Sequence, residues 1–388
     1  MVTPPQFWRF LRLAGLFVLL VLVAGVSGAF LYSAIAPRLS TWSWTAGIRW
    51  PGLSDTAPTI IERTEQVVLS QEEGLERFIG APRASIVSIV SVSVEPMART
   101  LAGTPAREMS GVLVTNDGLV ATYSAQAPLS ENRRFTVFFA DGNVSGAQFV
   151  AYDPVVHVAY FRTERADTPA LAFTNSSDTR PGRRFMVLAG TEDPDEGRLT
   201  TGYIGERART FNLSAKTVSS ADEWEGVFLP DRPIDPGFIG GAAVAMNGEL
   251  IGLIGTLTVD ATERAFILPA NALRQSLGRV IGGGLPARAN IGAYYVSLTK
   301  ETALSLRISR DQGALIYTPS ERSGLAVLSG SAAERAGLRY GDIVTAVNGQ
   351  AITLDRPFSV ALYEAATDAD ASLTVLRSGN EVTLTLSR

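Results

Sequence analysis

The chain has 388 residues, 46% of them hydrophobic, and a formal charge of -4 at neutral pH. That length allows about two to three domains with a sizeable core, and the small charge gives no electrostatic case for nucleic acid. Cysteine is absent, which excludes disulfides, thiolate catalysis and cysteine-ligated metal. Basic charge comes almost wholly from arginine, Lys216 and Lys300 being the only lysines.

Residues 13–36 are apolar or small and carry no charge, a run long enough to cross a bilayer as a helix. Arg9 and Arg12 precede it and Arg38 alone follows closely. That bias puts a short segment, 1–12, in the cytoplasm and the rest of the chain outside, in a periplasmic or other extracytoplasmic space. A cleaved signal peptide is the alternative. Ala34-Ile-Ala36 offers a cleavage site but leaves Pro37 as the first residue, and the run exceeds an ordinary signal core; an uncleaved anchor is favoured. Residues 37–60, with Pro37, Gly47, Pro51, Gly52 and Pro58, read as a linker. Trp42, Trp44 and Trp50 fit either the headgroup level or packing on the soluble part.

A helix with many glutamates is expected at 60–78. Then Ser85-Ile-Val-Ser-Ile-Val-Ser-Val-Ser-Val94 reads as a strand. Further strand signals fall at 111–114, 119–122, 135–139, 148–152, 158–162, 184–189, 199–205, 226–229 and 249–256, divided by turns such as Asn116-Asp-Gly118, Asp141-Gly142 and Asn247-Gly248. Many short strands with regular turns argue for a barrel or sandwich. Between two of them stands Asp235-Pro-Gly-Phe-Ile-Gly-Gly241. A loop so rich in turn residues can aim consecutive N–H groups at one point, as an oxyanion hole does.

That stretch is similar to the nucleophile loop of the HtrA/Deg family of trypsin-like serine proteases. Ser110-Gly-Val-Leu-Val-Thr-Asn-Asp-Gly-Leu-Val-Ala-Thr122 resembles the family's opening strands. Phe139-Ala-Asp-Gly142, Val150-Ala-Tyr-Asp-Pro154, Pro181-Gly-Arg-Arg-Phe-Met-Val-Leu-Ala-Gly190, Thr200-Thr-Gly-Tyr-Ile-Gly205 and Ala265-Phe-Ile-Leu-Pro-Ala-Asn271 follow in family order. The resemblance implies a trypsin-like domain over 61–280, built as two six-stranded β-barrels with a site between them.

Acyl transfer on such a fold needs a hydroxyl nucleophile, an imidazole base and an orienting carboxylate. The resemblance puts the base position on Ala125, in Thr122-Tyr-Ser-Ala-Gln-Ala127. It puts the acid position on His157, in Asp153-Pro-Val-Val-His-Val-Ala-Tyr-Phe161, and the nucleophile position on Ile239. All three roles are lost, and His157 is the only histidine in the chain. Gly237 and Phe238 would be a vestigial oxyanion loop. A lone histidine on a strand reads as a hydrogen-bonded structural residue. No metal site or other cofactor is expected, for want of a second histidine or a cysteine. Ile239 beside Phe238 would fill the former cleft or make an apolar pocket.

Ile281-Gly-Gly-Gly284 and Pro286 mark a joint over 281–287. Beyond it, Ser329-Gly-Ser-Ala-Ala-Glu-Arg-Ala-Gly-Leu-Arg-Tyr-Gly-Asp-Ile-Val-Thr-Ala-Val-Asn-Gly-Gln-Ala-Ile352 resembles the HtrA-type PDZ domain, which would span 288–388. Ser331 and Glu334 are spaced as a capping box, Gly337 suits a left-handed helix end, and Asn348-Gly349 is a hairpin turn. A second helix is expected at 358–366 and a closing hairpin at 373–377 and 382–386. The resemblance implies capture of peptide C-termini by strand addition. Ile291 and Gly292 would offer N–H groups to the carboxylate, Asn290 and Ala293 would flank them, and Val360 and Tyr363 would line the side-chain pocket.

The fold class expected is therefore mainly β: a membrane helix, a double barrel and an α+β PDZ domain. The function expected is that of a membrane-anchored pseudoprotease scaffold binding protein C-termini or unfolded segments, assembled as a homotrimer or with an active relative. An active envelope endopeptidase and a purely structural subunit are the alternatives.

Overall fold

The computed structural model describes residues 12–27, 80–93, 107–128, 133–191, 193, 197–216, 218–259, 261–285, 291–318, 323–365 and 370–387. The chain divides into two compact units, Met1–Leu69 and Ser70–Arg388. In the first, residues 12–27 form a helix with every side chain exposed. At the rise of an α-helix this stretch is about 24 Å long, and no helix among the described residues is long and apolar enough to cross a membrane. The rest of the apolar run, the three linker tryptophans and the helix expected at 60–78 lie outside the described residues.

The second unit is mainly β. Its first barrel closes in the order β1 (Ile86–Ser93), β2 (Arg107–Leu113), β3 (Leu119–Tyr123), β6 (Val158–Thr163), β5 (Val144–Asp153), β4 (Arg133–Phe139). Period-two patterning builds it: Val87 and Ile89 of β1 share one buried cluster with Phe135, Val137 and Phe161. The second barrel joins β7 (Arg184–Ala189), β8 (Arg198–Asn212), β10 (Glu225–Pro230), β11 (Ala242–Ala245), β12 (Leu250–Val259) and β13 (Thr262–Pro269) around Phe185, Val187, Phe228, Ile251 and Ile267. Strand β8 runs well past the expected 199–205. Its outer half is polar between the buried Ile204 and Ala208, and pairs with β10 through Asn212.

A helix, α1 (Ala270–Ile281), follows β13 and buries Ala272, Leu273 and Leu277. These residues belong to the large apolar cluster between the barrels, which also takes in Val360 and Tyr363 of the C-terminal module. Asp153, at the end of β5, is pinned in the same junction. Its carboxylate accepts from Ser276 of α1 (2.7 Å), from the Tyr363 hydroxyl and from the Val155 N–H (3.0 Å).

The C-terminal module is an open sheet in the order β19 (Asn380–Ser387), β18 (Asp370–Arg377), β16 (Ile343–Val347), β15 (Ala314–Ile316), β14 (Tyr294–Ser297), with the short β17 (Gln350–Ala351) paired to β16. The helices α2 (Ala332–Arg335) and α3 (Phe358–Glu364) pack on it. Ser331 caps α2 by accepting from the Glu334 N–H at 3.2 Å. The reciprocal half of the expected capping box is absent. The Ser331 N–H is already given to Leu328 O, and the Glu334 carboxylate takes the Gly330 N–H instead, at 2.6 Å. Ser331→Ala is expected to lower stability by about 1 kcal/mol, the ordinary worth of an N-cap, read as a shift of the urea midpoint.

Candidate functional site

The three positions that the resemblance assigns to the triad gather round the end of β3. Ala125 is exposed in the loop just after it. The Ser124 N–H donates to the His157 carbonyl at 2.9 Å, and the Tyr123 ring stacks on the His157 ring with centroids 6.1 Å apart. Gly240, next to Ile239, has φ +83°, and a Cβ there would come within 2.3 Å of Ser110 O and 2.5 Å of Thr122 Oγ1. Only glycine permits that approach.

His157 is not on a strand, as the sequence suggests. It ends the turn between β5 and β6 with φ +57°. The turn is fixed where Asp153 accepts from the Val155 N–H. The imidazole is held by Glu223, Nε2 to Oε2 at 2.7 Å, and Nδ1 has no hydrogen-bond partner among the described residues. No serine hydroxyl bonds the ring there.

The loop 235–241 does not form the oxyanion geometry its composition suggests. Pro236–Phe238 is a turn of 3-10 helix. It uses up its own donors: Gly237 N–H goes to Asp235 Oδ1 (2.8 Å), Phe238 N–H to Asp235 O (3.0 Å) and Ile239 N–H to Pro236 O (3.1 Å). A hole for a developing oxyanion needs such groups free and convergent. Phe238 packs on the second barrel's core, and the half-buried Ile239 packs against the cluster between the barrels.

The positions expected to bind a peptide in the C-terminal module face the chain's own residues. Asn290 lies outside the described residues. Ile291 and Gly292 do present consecutive N–H groups to a carboxylate, that of Asp222, at 2.8 and 3.1 Å. Beside them β9 (Ser219–Ser220) pairs antiparallel with β14, Ser220 opposite Tyr294 and Ser219 opposite Tyr295. The Ala221 N–H donates to Ala293 O at 2.9 Å. Val360 and Tyr363 are buried in one cluster with Trp224, whose ring meets that of Tyr363 edge-on at 5.8 Å. Nothing in the sequence singles out the segment 219–225 as part of a site. Its signal is faint: Ser219-Ser-Ala-Asp222, small residues ending in a carboxylate, in a turn region between two strands.

Glu225, at the end of that segment, is buried against Tyr295, whose hydroxyl donates to its carboxylate. Burial pushes this carboxyl up to about 7, with the hydroxyls of Tyr295 and Ser297 pulling the other way.

The trypsin-like peptidase domain family matches residues 109–253, and the PDZ domain family matches 291–387. A probable periplasmic serine endoprotease, DegP-like, of Brucella suis is 26% identical over 290 residues, covering 73% of this chain and 53% of that protein. A probable periplasmic serine protease do/HhoA-like of Haemophilus influenzae is 30% identical over 251 residues, covering 63% and 50%. The chain thus spans about half the length of these relatives. In fold it is similar to the HtrA-type protease AlgW with decapeptide, with a TM-score of 0.56 and 21% identity over 80% of this chain and 97% of that one. The chain thus pairs a trypsin-like peptidase domain with a PDZ domain and is similar to serine proteases of the HtrA type.

Proposed function

We propose that this chain is an extracytoplasmic, membrane-anchored HtrA-type pseudoprotease that works as a scaffold for protein C-termini through its PDZ domain. One observation carries the reading. At the three positions where the family needs nucleophile, base and acid stand Ile239, Ala125 and His157, and the loop's N–H groups are spent within the loop. Neither Ile239 nor Ala125 carries an atom that attacks a carbonyl or takes its proton, His157 is held by Glu223, and removal of a triad leaves only about 10³–10⁴-fold over water from binding and oxyanion contacts. Here the oxyanion contacts are spent as well. Anchoring is supported by the uncharged run 13–36 and by the fully exposed apolar helix within it. The periplasmic names of the relatives support the compartment. Assembly with itself or with an active relative belongs to the same proposal.

The test is a fluorophosphonate probe and an unfolded protein substrate, each incubated with the full chain. Neither labelling nor cleavage is expected. Labelling abolished by mutating a single serine would reinstate the endopeptidase reading favoured by the relatives' names. A second reading, a structural subunit without a peptide ligand, is favoured by the filled groove beside β14. A library screen that finds no C-terminal peptide for the full chain or for a variant with that groove opened would decide for it.

A further inference from the structure

We infer that residues 218–223 are an internal ligand of the PDZ groove, with Asp222 standing in for a terminal carboxylate, so that a peptide C-terminus enters only by displacing them. The inference rests on the peptide-binding reading above and adds how that binding is controlled.

Four features of the contact are those of a bound peptide. The segment adds to the sheet edge as a strand, next to β14 and antiparallel to it. It runs toward the loop 291–293, the direction a peptide takes when its C-terminus ends at that loop. Its carboxylate receives two consecutive N–H groups, Ile291 and Gly292, in charge-assisted hydrogen bonds. Finally, Ala221, just before the carboxylate, is buried in the PDZ domain's own apolar cluster with Ile291, Phe358 and Ala361. An ordinary packing contact between domains has no need of this combination, which is the mode of strand addition with carboxylate capture.

The segment is also built to stay in place. It forms the tip of the connection between β8 and β10, which is closed at its base by the Leu213 N–H on Trp224 O at 2.9 Å. Asn212, buried there, donates to Ser220 O (3.2 Å) and Glu223 O (3.0 Å). A preshaped, tethered ligand competes at a high effective concentration, and an outside peptide sees its affinity reduced by the fraction of chains with the groove open.

Glu223 gives the contact a second end. Asp222 sits in the PDZ loop, and Glu223 beside it holds His157 at the family's acid position. Displacing the segment therefore also pulls on the turn that borders the former cleft. The histidine standing where the family has an acid acts here as a clasp for the internal ligand.

The experiment uses the full chain and a pool of fluorescein-labelled decapeptides with randomised last four positions, in free-carboxylate and amidated forms. Asp222→Ala and the isosteric Asp222→Asn are compared with the wild type by polarisation. Both variants are expected to bind the free-carboxylate pool about tenfold or more tightly than the wild type, with no gain for the amidated pool. Equal binding by wild type and variants would overturn the internal ligand and leave peptide capture standing. No binding by any of the three would remove peptide capture and the internal ligand together. Should both variants fail to fold, hydrogen exchange on the wild type decides. Saturating peptide is expected to speed exchange of the Ser219–Asp222 amides, and peptide binding without that change would overturn the inference.

Discussion

Asp153→Ala is expected to lower the unfolding free energy by about 3 kcal/mol or more, the least that three donors left without an acceptor would cost together. Asp153 is 1% exposed and ties three elements. The carboxylate belongs to β5, Ser276 to α1 and Tyr363 to the PDZ helix α3. Its loss leaves two buried hydroxyls and the Val155 N–H without their acceptor, each costing about 1–3 kcal/mol if no water reaches it. The Arg279 guanidinium stacks over the Tyr363 ring at 3.5 Å, on the same side chain that loses its acceptor. Asp153→Asn keeps the shape but offers one acceptor oxygen in place of two, and is expected to fall between. Ser276→Ala and Tyr363→Phe each remove a donor while the carboxylate keeps its others, so each is expected to cost about 1 kcal/mol. Urea midpoints at one pH rank the four variants. An Asp153→Ala loss no greater than that of Tyr363→Phe would mean that the junction is held by its apolar contacts alone.

Stability is expected to fall as the pH rises from about 4.5 to about 7, and Glu225 is the cause. Its carboxyl is pushed from an ordinary 4.5 up to about 7, chiefly by burial. Between those values the folded chain keeps a proton that the unfolded chain has released. The unfolding free energy therefore declines with pH. The group's favourable contribution is complete below about 4.5 and is lost once the pH has passed through about 7. The full effect is on the order of 3 kcal/mol. Glu225→Gln removes the titration and keeps an oxygen for the Tyr295 hydroxyl. The difference in urea midpoint between wild type and Glu225→Gln, followed from pH 4 to pH 8, isolates the group from every other carboxylate. A difference that stays flat across that window would refute the assignment. The same carboxyl lies between the second barrel and the PDZ strand β14, so its ionisation loosens the junction that holds the internal segment.

The patterns legible in the sequence are those written locally. Alternation gives most strands of both barrels, and the run Ser329–Ile352 gives the PDZ fold in one reading, because caps, turns and strand lie consecutively there. Where a strand turns its polar face outward for long, as β8 does over Glu206–Arg209, the alternation fades and the strand is read short. Helix α1 has its own signal, with Ala272, Leu273, Ser276 and Leu277 on one face before Gly282. It is overlooked because the family motif ends at Asn271. Ala125, His157 and Ile239, the residues that the resemblance puts at the triad positions, are read off as soon as the motifs are aligned. Their surroundings are not. Nothing local announces that Glu223 will meet His157, 66 positions away, or that Asp222 will meet Ile291, 69 positions away. The same connection between two barrel strands makes both meetings, one with an earlier turn of the first barrel and the other with a domain that begins some seventy residues later. The closure of the loop 235–241 on its own donors is likewise a matter of φ and ψ, which the glycines permit but do not dictate.

Both barrels close on themselves and leave no bare strand edges, whereas the third sheet is open and β9 lies along one of its borders. A strand edge without a neighbour is a row of unused N–H and C=O groups that invites another chain to stack on it. Every molecule caught with β9 lifted therefore presents Tyr294–Ser297 as a sticky border. Such molecules would pair with one another unless something else takes the place first. Colloidal behaviour follows: crowded, freshly made or heat-stressed protein would clump through this border, and an extended guest lying along it would act as a solubiliser.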